Sequence, residues 1–413
     1  MENNPLGFLT FNKLSVKPPI KTNSVRLQEH FDKTTIAEDA KSTMIVIHPR
    51  FPGLVRSFLD HKRAQGSEHE KTLYHSNFSW RDEISRLIEK RPLVFMGSHD
   101  HTLLRDGTKI ANPRAQWDRN GTQEQGLNAD LTLGEYLSYD EIMLSSLIGV
   151  SGPSYFINDG GRNNCGRVGE AGTFEDRGII MGVVGARFER EDRMDSVFIL
   201  APVEKPRQHS ELTKLFSTFF GEERGQGRSV QEFDDSVYRA RMRITADILF
   251  LEADARAKQD LEGRSAYVYV VGLGLGVWQH HNDQVNWYVE TCADAINALH
   301  RDHKISTIDF AWIDRNLSTE TQALAMEAGK KLGIKVIFSK RNPAEKLKDG
   351  TKELLVLSYA WDGNAFPGNE YWQGSLMGSG DPAAACMSTI GELHNPLVNP
   401  YTKRIVVAGE TES

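Results

Sequence analysis

Ala266–Trp278 reads AYVYVVGLGLGVW, a run of aromatic and β-branched residues that breaks into glycines at every second position. The first half has no polar side chain and reads as a strand buried on both faces; Gly272, Gly274 and Gly276 then allow a tight turn. QVNWYVETCADAINALHRDH (284–303) follows with helical spacing, ISTIDFAWI (305–313) is strand-like and ETQALAMEAGKKLG (320–333) is again helical. IKVIF (334–338) and KELLVLSYAW (352–361) complete the alternation. Strands alternating with helices predict an α/β fold, three layers α/β/α around a mixed, largely parallel sheet.

Upstream the pattern is less regular. STMIVIHPRF (42–51) and PLVFMGSHDH (92–101) read as strands, WRDEISRLIEK (80–90) and LTLGEYLSYDEIMLSSLIGV (131–150) as helical, and 105–125 as a long polar loop. GIIMGVVGARF (178–188) and DSVFILAPV (195–203) are both β-like, with the charged turn EREDRM between them, so a hairpin is expected. DDSVYRARMRITADILFLEADARAK (234–258) is a strong helix with Asp at its start. The domain reading is a flexible N-terminal arm (1–41), an N-terminal α/β portion packed on the core (42–150), the core itself (151–405) and a tail (406–413).

The 413 residues are 39% hydrophobic, enough for a sizeable core and too apolar for a disordered chain. A net charge of −7 argues against a general polyanion binder, so no nucleic-acid partner is expected. Cys165, Cys292 and Cys386 have no CxxC spacing, which fits a reducing compartment and offers no structural zinc site. No secretory signal is evident, and no apolar run approaches the ~20 residues that span a bilayer. The expected setting is the cytoplasm, without membrane contact. The pair His99 and His101 lacks a spaced carboxylate and reads as a strand-end turn, so no metal site is expected.

Three stretches can carry chemistry. In Gly272, Leu273, Gly274, Leu275, Gly276, Val277 and Trp278 the backbone amides can face a phosphate; the alternative is a tight turn whose glycines only permit packing. The spacing is one residue short of the dinucleotide fingerprint, and no Gly-Lys-Ser/Thr is present. SYAWDGNAFPGNEYWQGSLMGSGDPAAAC (358–386) sets Asp362, Glu370 and Asp381 around glycine-rich turns, with Asn364 and Asn369 beside them. Asp381 precedes Pro382 and a run of alanines, so it could equally be a helix cap. Trp361, Phe366, Tyr371 and Trp372 would raise carboxyl pKa values and offer stacking faces. The third stretch, YFINDGGRNNCGRVGEAGTFEDRG (155–178), contributes Asp159 and arginines for a diphosphate, or is a surface loop.

VVGLGLGVW, GARFER and above all SYAWDGNAFPGNEYWQGSLMGSGDPAAA resemble the MavL-like macrodomain family, over about residues 42–405. The resemblance implies a macrodomain-like sheet with ADP-ribose in a cleft at the strand ends. It makes 272–278 the diphosphate loop, and Asp362, Glu370 and Asp381 the acids around the distal ribose. In ordinary macrodomains the distal-ribose loop precedes the diphosphate loop; here it follows, so either the order is permuted or the 159–178 loop shares the role. The implied activity is hydrolysis of mono-ADP-ribose from arginine side chains of proteins, with no cofactor. The alternative is a non-catalytic reader of ADP-ribose or a nucleotide, which needs about one carboxylate where three are present. A nucleotide-dependent transferase is a third reading.

Overall fold

The computed structural model describes residues 4–17, 25, 31–200, 207–221, 233–313, 315–348, 351–374 and 389–410. Eight strands form one sheet: β1 (Met44–Ile47), β4 (Ile148–Tyr155), β5 (Arg177–Val183), β6 (Ser265–Val270), β7 (Ile305–Ala311), β8 (Lys335–Ser339), β9 (Glu353–Ala360) and β10 (Ile405–Val407). Their order is β10-β1-β4-β5-β9-β6-β7-β8. Among the described residues, only the β1–β4 and β4–β5 pairings of this sheet are antiparallel; the others are parallel. The central strands β9 and β6 are buried almost throughout, as a sheet covered on both faces requires. The sheet bears out the three-layer α/β reading.

One face is covered by the helix Asp235–Gln259, with Gln284–Asn297 and Thr319–Leu332 beside it. Asp234 caps the first of these through Val237 N (3.1 Å), and Glu252 accepts from Ser151 Oγ of β4 (2.7 Å). Side chains pointing the other way meet a different layer. A Cβ on Gly152 would lie 2.6 Å from Thr43 Oγ1 and 3.4 Å from His394 Nε2, and one on Gly178 3.0 Å from Phe156. The helix Lys33–Ser42 packs on β4 in this layer.

Several expectations need correction. Residues 195–200 do not pair with β5: Ser196–Ile199 is a helical turn, and β5 already has β4 and β9 on its two edges, while 201–203 of the expected strand lie outside the described residues. Asp195, fully buried against Arg241, draws the segment off the sheet. The stretch 92–101 folds into β2 (Val94–Met96), which pairs with β3 (His101–Leu103) in a separate hairpin whose turn holds His99. The 105–125 segment contains the helix Pro113–Arg119, opened by Pro113 at its first position. The helix expected within 131–150 is confined to Tyr139–Ser145, started by a Ser138–Glu141 capping box, and β4 takes over at Ile148. The N-terminal portion and the core share the sheet through β1 and β4, and within the arm Leu6, Leu9 and Phe31 are buried against Val398. At the other end β10 spans the core–tail boundary, and Ala408 N donates to Ile47 O (2.8 Å).

Candidate active site

Strands β5, β9 and β6 are neighbours and parallel, so their carboxyl ends open on the same side of the sheet. In open α/β sheets this is where ligands bind. Three loops leave there: 184–190 after β5, 361–369 after β9 and 271–278 after β6. They nest closely enough to require glycine. A Cβ on Gly185 would fall 2.8 Å from Gly274 N, and one on Gly274, whose φ is +72°, 3.0 Å from Ala186 O. Gly363, at φ +75°, would place a Cβ 3.0 Å from Val184.

The N-terminal portion clamps the middle loop. Arg91, fully buried, donates to the carbonyls of Leu87 (2.5 Å), Gly363 and Ala365 (3.4 Å) and lies 4.4 Å from the Trp361 ring. Ser145 Oγ also donates to Gly363 O, and Phe366 N to Pro92 O (3.0 Å). Asn369 Oδ1 accepts from Phe95 N (2.9 Å), while Asn369 Nδ2 donates to Asp362 Oδ2 (2.6 Å). The aspartate is thus oriented by a residue itself pinned to β2.

The first loop is buttressed from below. Arg241 pairs with Asp195 (3.1 Å) and donates to the carbonyls of Ser146 (2.9 Å), Val184 (3.4 Å) and Gly185 (3.3 Å). Asp195 also accepts from Arg187 N (2.9 Å). Arg187 pairs with Glu189, donates to Asp362 O (2.9 Å) and sits 5.0 Å from the Trp278 ring, linking all three loops. Sequence reasoning missed Arg187, Glu189 and Arg91. Arg187 and Glu189 lie in GARFER directly after a buried strand, which is the signal that could have found them.

The glycine loop is held from its flanks. Gln284 Nε2 donates to Gly274 O (3.1 Å) and Tyr288 OH to Val271 O (2.9 Å). Leu273 and Trp278 point inward; Gly276 and Val277 are exposed. Leu275 N donates to Gly272 O (3.1 Å), whereas among the described residues the N–H groups of Gly274, Gly276 and Val277 make no hydrogen bond. These amides are free to meet an anion.

The electrostatics of Asp362 set it apart from an ordinary carboxylate. Burial pushes its carboxyl up to about 7; Arg187 pulls against this, Glu370 and Glu189 push with it, and the Asn369 bond pulls down. Glu370, in the helical turn Asn369–Gln373, is thus close enough for its charge to act on the same carboxyl. Asn364 is buried, and neither of its amide atoms has a hydrogen-bond partner among the described residues. Asp381 lies outside the described residues. Asp159 is tied elsewhere: its carboxylate accepts from Asn342 Nδ2 (2.8 Å) and Gly161 N (2.9 Å).

One expectation fails. Trp361, Phe366, Tyr371 and Trp372 are at most 3% exposed, so they form the hydrophobic underside of the acidic loop and offer a ligand no stacking face.

A sequence model described as ADP-ribosylhydrolase MavL-like matches residues 10–212 and 215–410. The chain is also 35% identical to ADP-ribosylarginine hydrolase CG2909 of Drosophila melanogaster, over 94% of this chain and 83% of the relative. It is equally 35% identical to ADP-ribosylarginine hydrolase CG3568 of the same organism, over 95% and 83%. With both matches running nearly end to end, across the three loops and the clamp that holds them, the chain belongs to the MavL-like ADP-ribosylhydrolase family.

Proposed function

We propose that the protein hydrolyses the N-glycosidic bond between ADP-ribose and arginine side chains, in a macrodomain-type cleft at the carboxyl ends of β5, β9 and β6. The observation that carries this reading is Asp362: a carboxyl poised near neutrality, oriented by Asn369 and acted on by the charge of Glu370, one strand from a loop of free amides. The diphosphate lies on Gly274–Val277, and the distal ribose beside Asp362, where Asn364 has unused donor and acceptor capacity. Glu370 adds a second acid beside Asp362. Both relatives are named for arginine-linked substrate, which supports the linkage.

The chemistry follows from the poise of Asp362. In its protonated form it gives its proton to the guanidine nitrogen as the C–N bond breaks and the electron pair goes to nitrogen. The ribosyl carbon then has oxocarbenium character, which the neighbouring carboxylates stabilise. Water adds to that carbon and returns a proton to Asp362, so the enzyme is regenerated. Negative charge around the departing group also favours a guanidinium over a neutral or anionic linkage. Matched peptides carrying ADP-ribose on arginine, serine or glutamate test this directly. Release is expected from arginine alone; equal release from all three rejects the linkage, and binding without release turns the protein into a reader.

A further inference from the structure

With the aromatics of the acidic loop buried, the base of a nucleotide needs another face. Trp312, one residue past the end of β7, is 55% exposed between the buried Ala311 and Ile313. Among the described residues Tyr401 is the other large aromatic with comparable exposure, and it lies against Phe8, in the N-terminal arm. Trp312 also has φ +59°, a conformation a bulky side chain adopts only under constraint. The constraint is visible. Trp312 N donates to Ser339 O (2.8 Å), and its indole Nε1 donates to Arg341 O (2.9 Å), a carbonyl that also accepts Tyr269 OH of β6 (3.2 Å). A half-exposed indole held at both backbone and ring has little rotamer freedom left to lose on stacking.

Its position matches the order of a dinucleotide. Along the sheet edge the strands run β9, β6, β7, roughly 4.8 Å apart. They present in turn the Asp362 loop, the free amides and Trp312, while Ile313 packs beneath Gly272. ADP-ribose has the same sequence of parts: ribose, diphosphate, then adenosine. We infer that Trp312 is a specificity-determining residue of the cleft, its indole providing the stacking platform for the adenine base. The inference rests on the ADP-ribose reading above.

The test compares Trp312→Phe, which keeps a ring, with Trp312→Leu, which keeps bulk without one. Binding of ADP-ribose, AMP and ribose 5-phosphate is measured by calorimetry on the full chain. Loss of one base stack corresponds to ~10- to 100-fold in Kd. Trp312→Leu should weaken ADP-ribose and AMP by that factor and leave ribose 5-phosphate unchanged, with the loss in hydrolysis falling on KM. Trp312→Phe should recover most of the affinity. If Trp312→Leu binds ADP-ribose as tightly as Trp312→Phe, the platform assignment is wrong and the cleft assignment stands. If the parent itself shows no affinity for ADP-ribose, the cleft reading and the platform fall together.

Discussion

Replacing Asp362 by Asn should abolish hydrolysis and yet stabilise the protein, increasingly so as pH rises. In an unfolded chain an aspartate titrates near its ordinary value, whereas burial raises it to about 7 in the fold. Between those two values the native state holds a proton that the unfolded state has released, so stability falls as pH rises through that window. The cost is absent below the lower value and complete above the upper one. Each decade of proton affinity is worth about 1.36 kcal/mol, which makes the difference between pH 5 and pH 8 roughly 2–3 kcal/mol. Asparagine carries no proton to lose, and its amide oxygen can still accept from Asn369 Nδ2. Urea unfolding followed by circular dichroism at pH 5, 6.5 and 8 gives the comparison. The Asp362→Asn variant should gain on the parent by that amount over the interval while its turnover drops ~100-fold or more. A stability difference that is flat with pH, or that moves the other way, would refute the claim that the folded protein holds this carboxyl neutral.

Two further substitutions probe the loops. Gly274→Val puts a β-branched side chain at φ +72° and 3.0 Å from Ala186 O; it should cost ~1–3 kcal/mol and remove the thermal shift that ADP-ribose gives the parent, and a normal shift would mean that the ligand does not touch this turn. Arg91→Met removes a buried cation that has no carboxylate partner among the described residues, while taking one hydrogen bond each from the carbonyls of Leu87, Gly363 and Ala365, of which Gly363 keeps Ser145 Oγ and Ala365 keeps Trp361 Nε1. These effects oppose each other in stability, so Tm should move little, whereas kcat should fall ~10-fold or more as the acidic loop loses its clamp; full activity would show that the clamp is dispensable.

The strands β6 to β9 and the glycine loop were legible because continuous apolar runs and a sharp turn leave their marks on consecutive residues. The acidic loop was legible by its carboxylates. The clamp was not. Arg91 reaches Gly363 across 272 positions, and Arg187 reaches Asp362 across 175. Their acceptors are backbone carbonyls, which every residue possesses, so no residue type on the receiving side betrays the contact. The aromatic reading erred for a related reason. A tryptophan in a loop looks the same whether it is folded under, as Trp361 is beneath Arg91, or held out, as Trp312 is. Segment 195–203 has the composition of a strand, but the pairing of Asp195 with Arg241 overrode that preference.

The placement of β9 also governs how the molecule must assemble. β10, β1, β4 and β5 form one half of the sheet and β6, β7 and β8 the other, and the strand joining them follows all of these but the edge strand β10 in the chain. A chain emerging from the ribosome therefore has two incomplete half-sheets, each exposing a strand edge, until residues 353–360 arrive to bridge them. Pairing over such sequence distances is slow, because loop closure must precede the contacts that reward it. The strand that joins the two halves is also the one that leads directly into Asp362. The proposed catalytic competence is thus tied to this bridging event of folding, and a chain halted before it has neither a continuous sheet nor the carboxyl proposed to carry turnover.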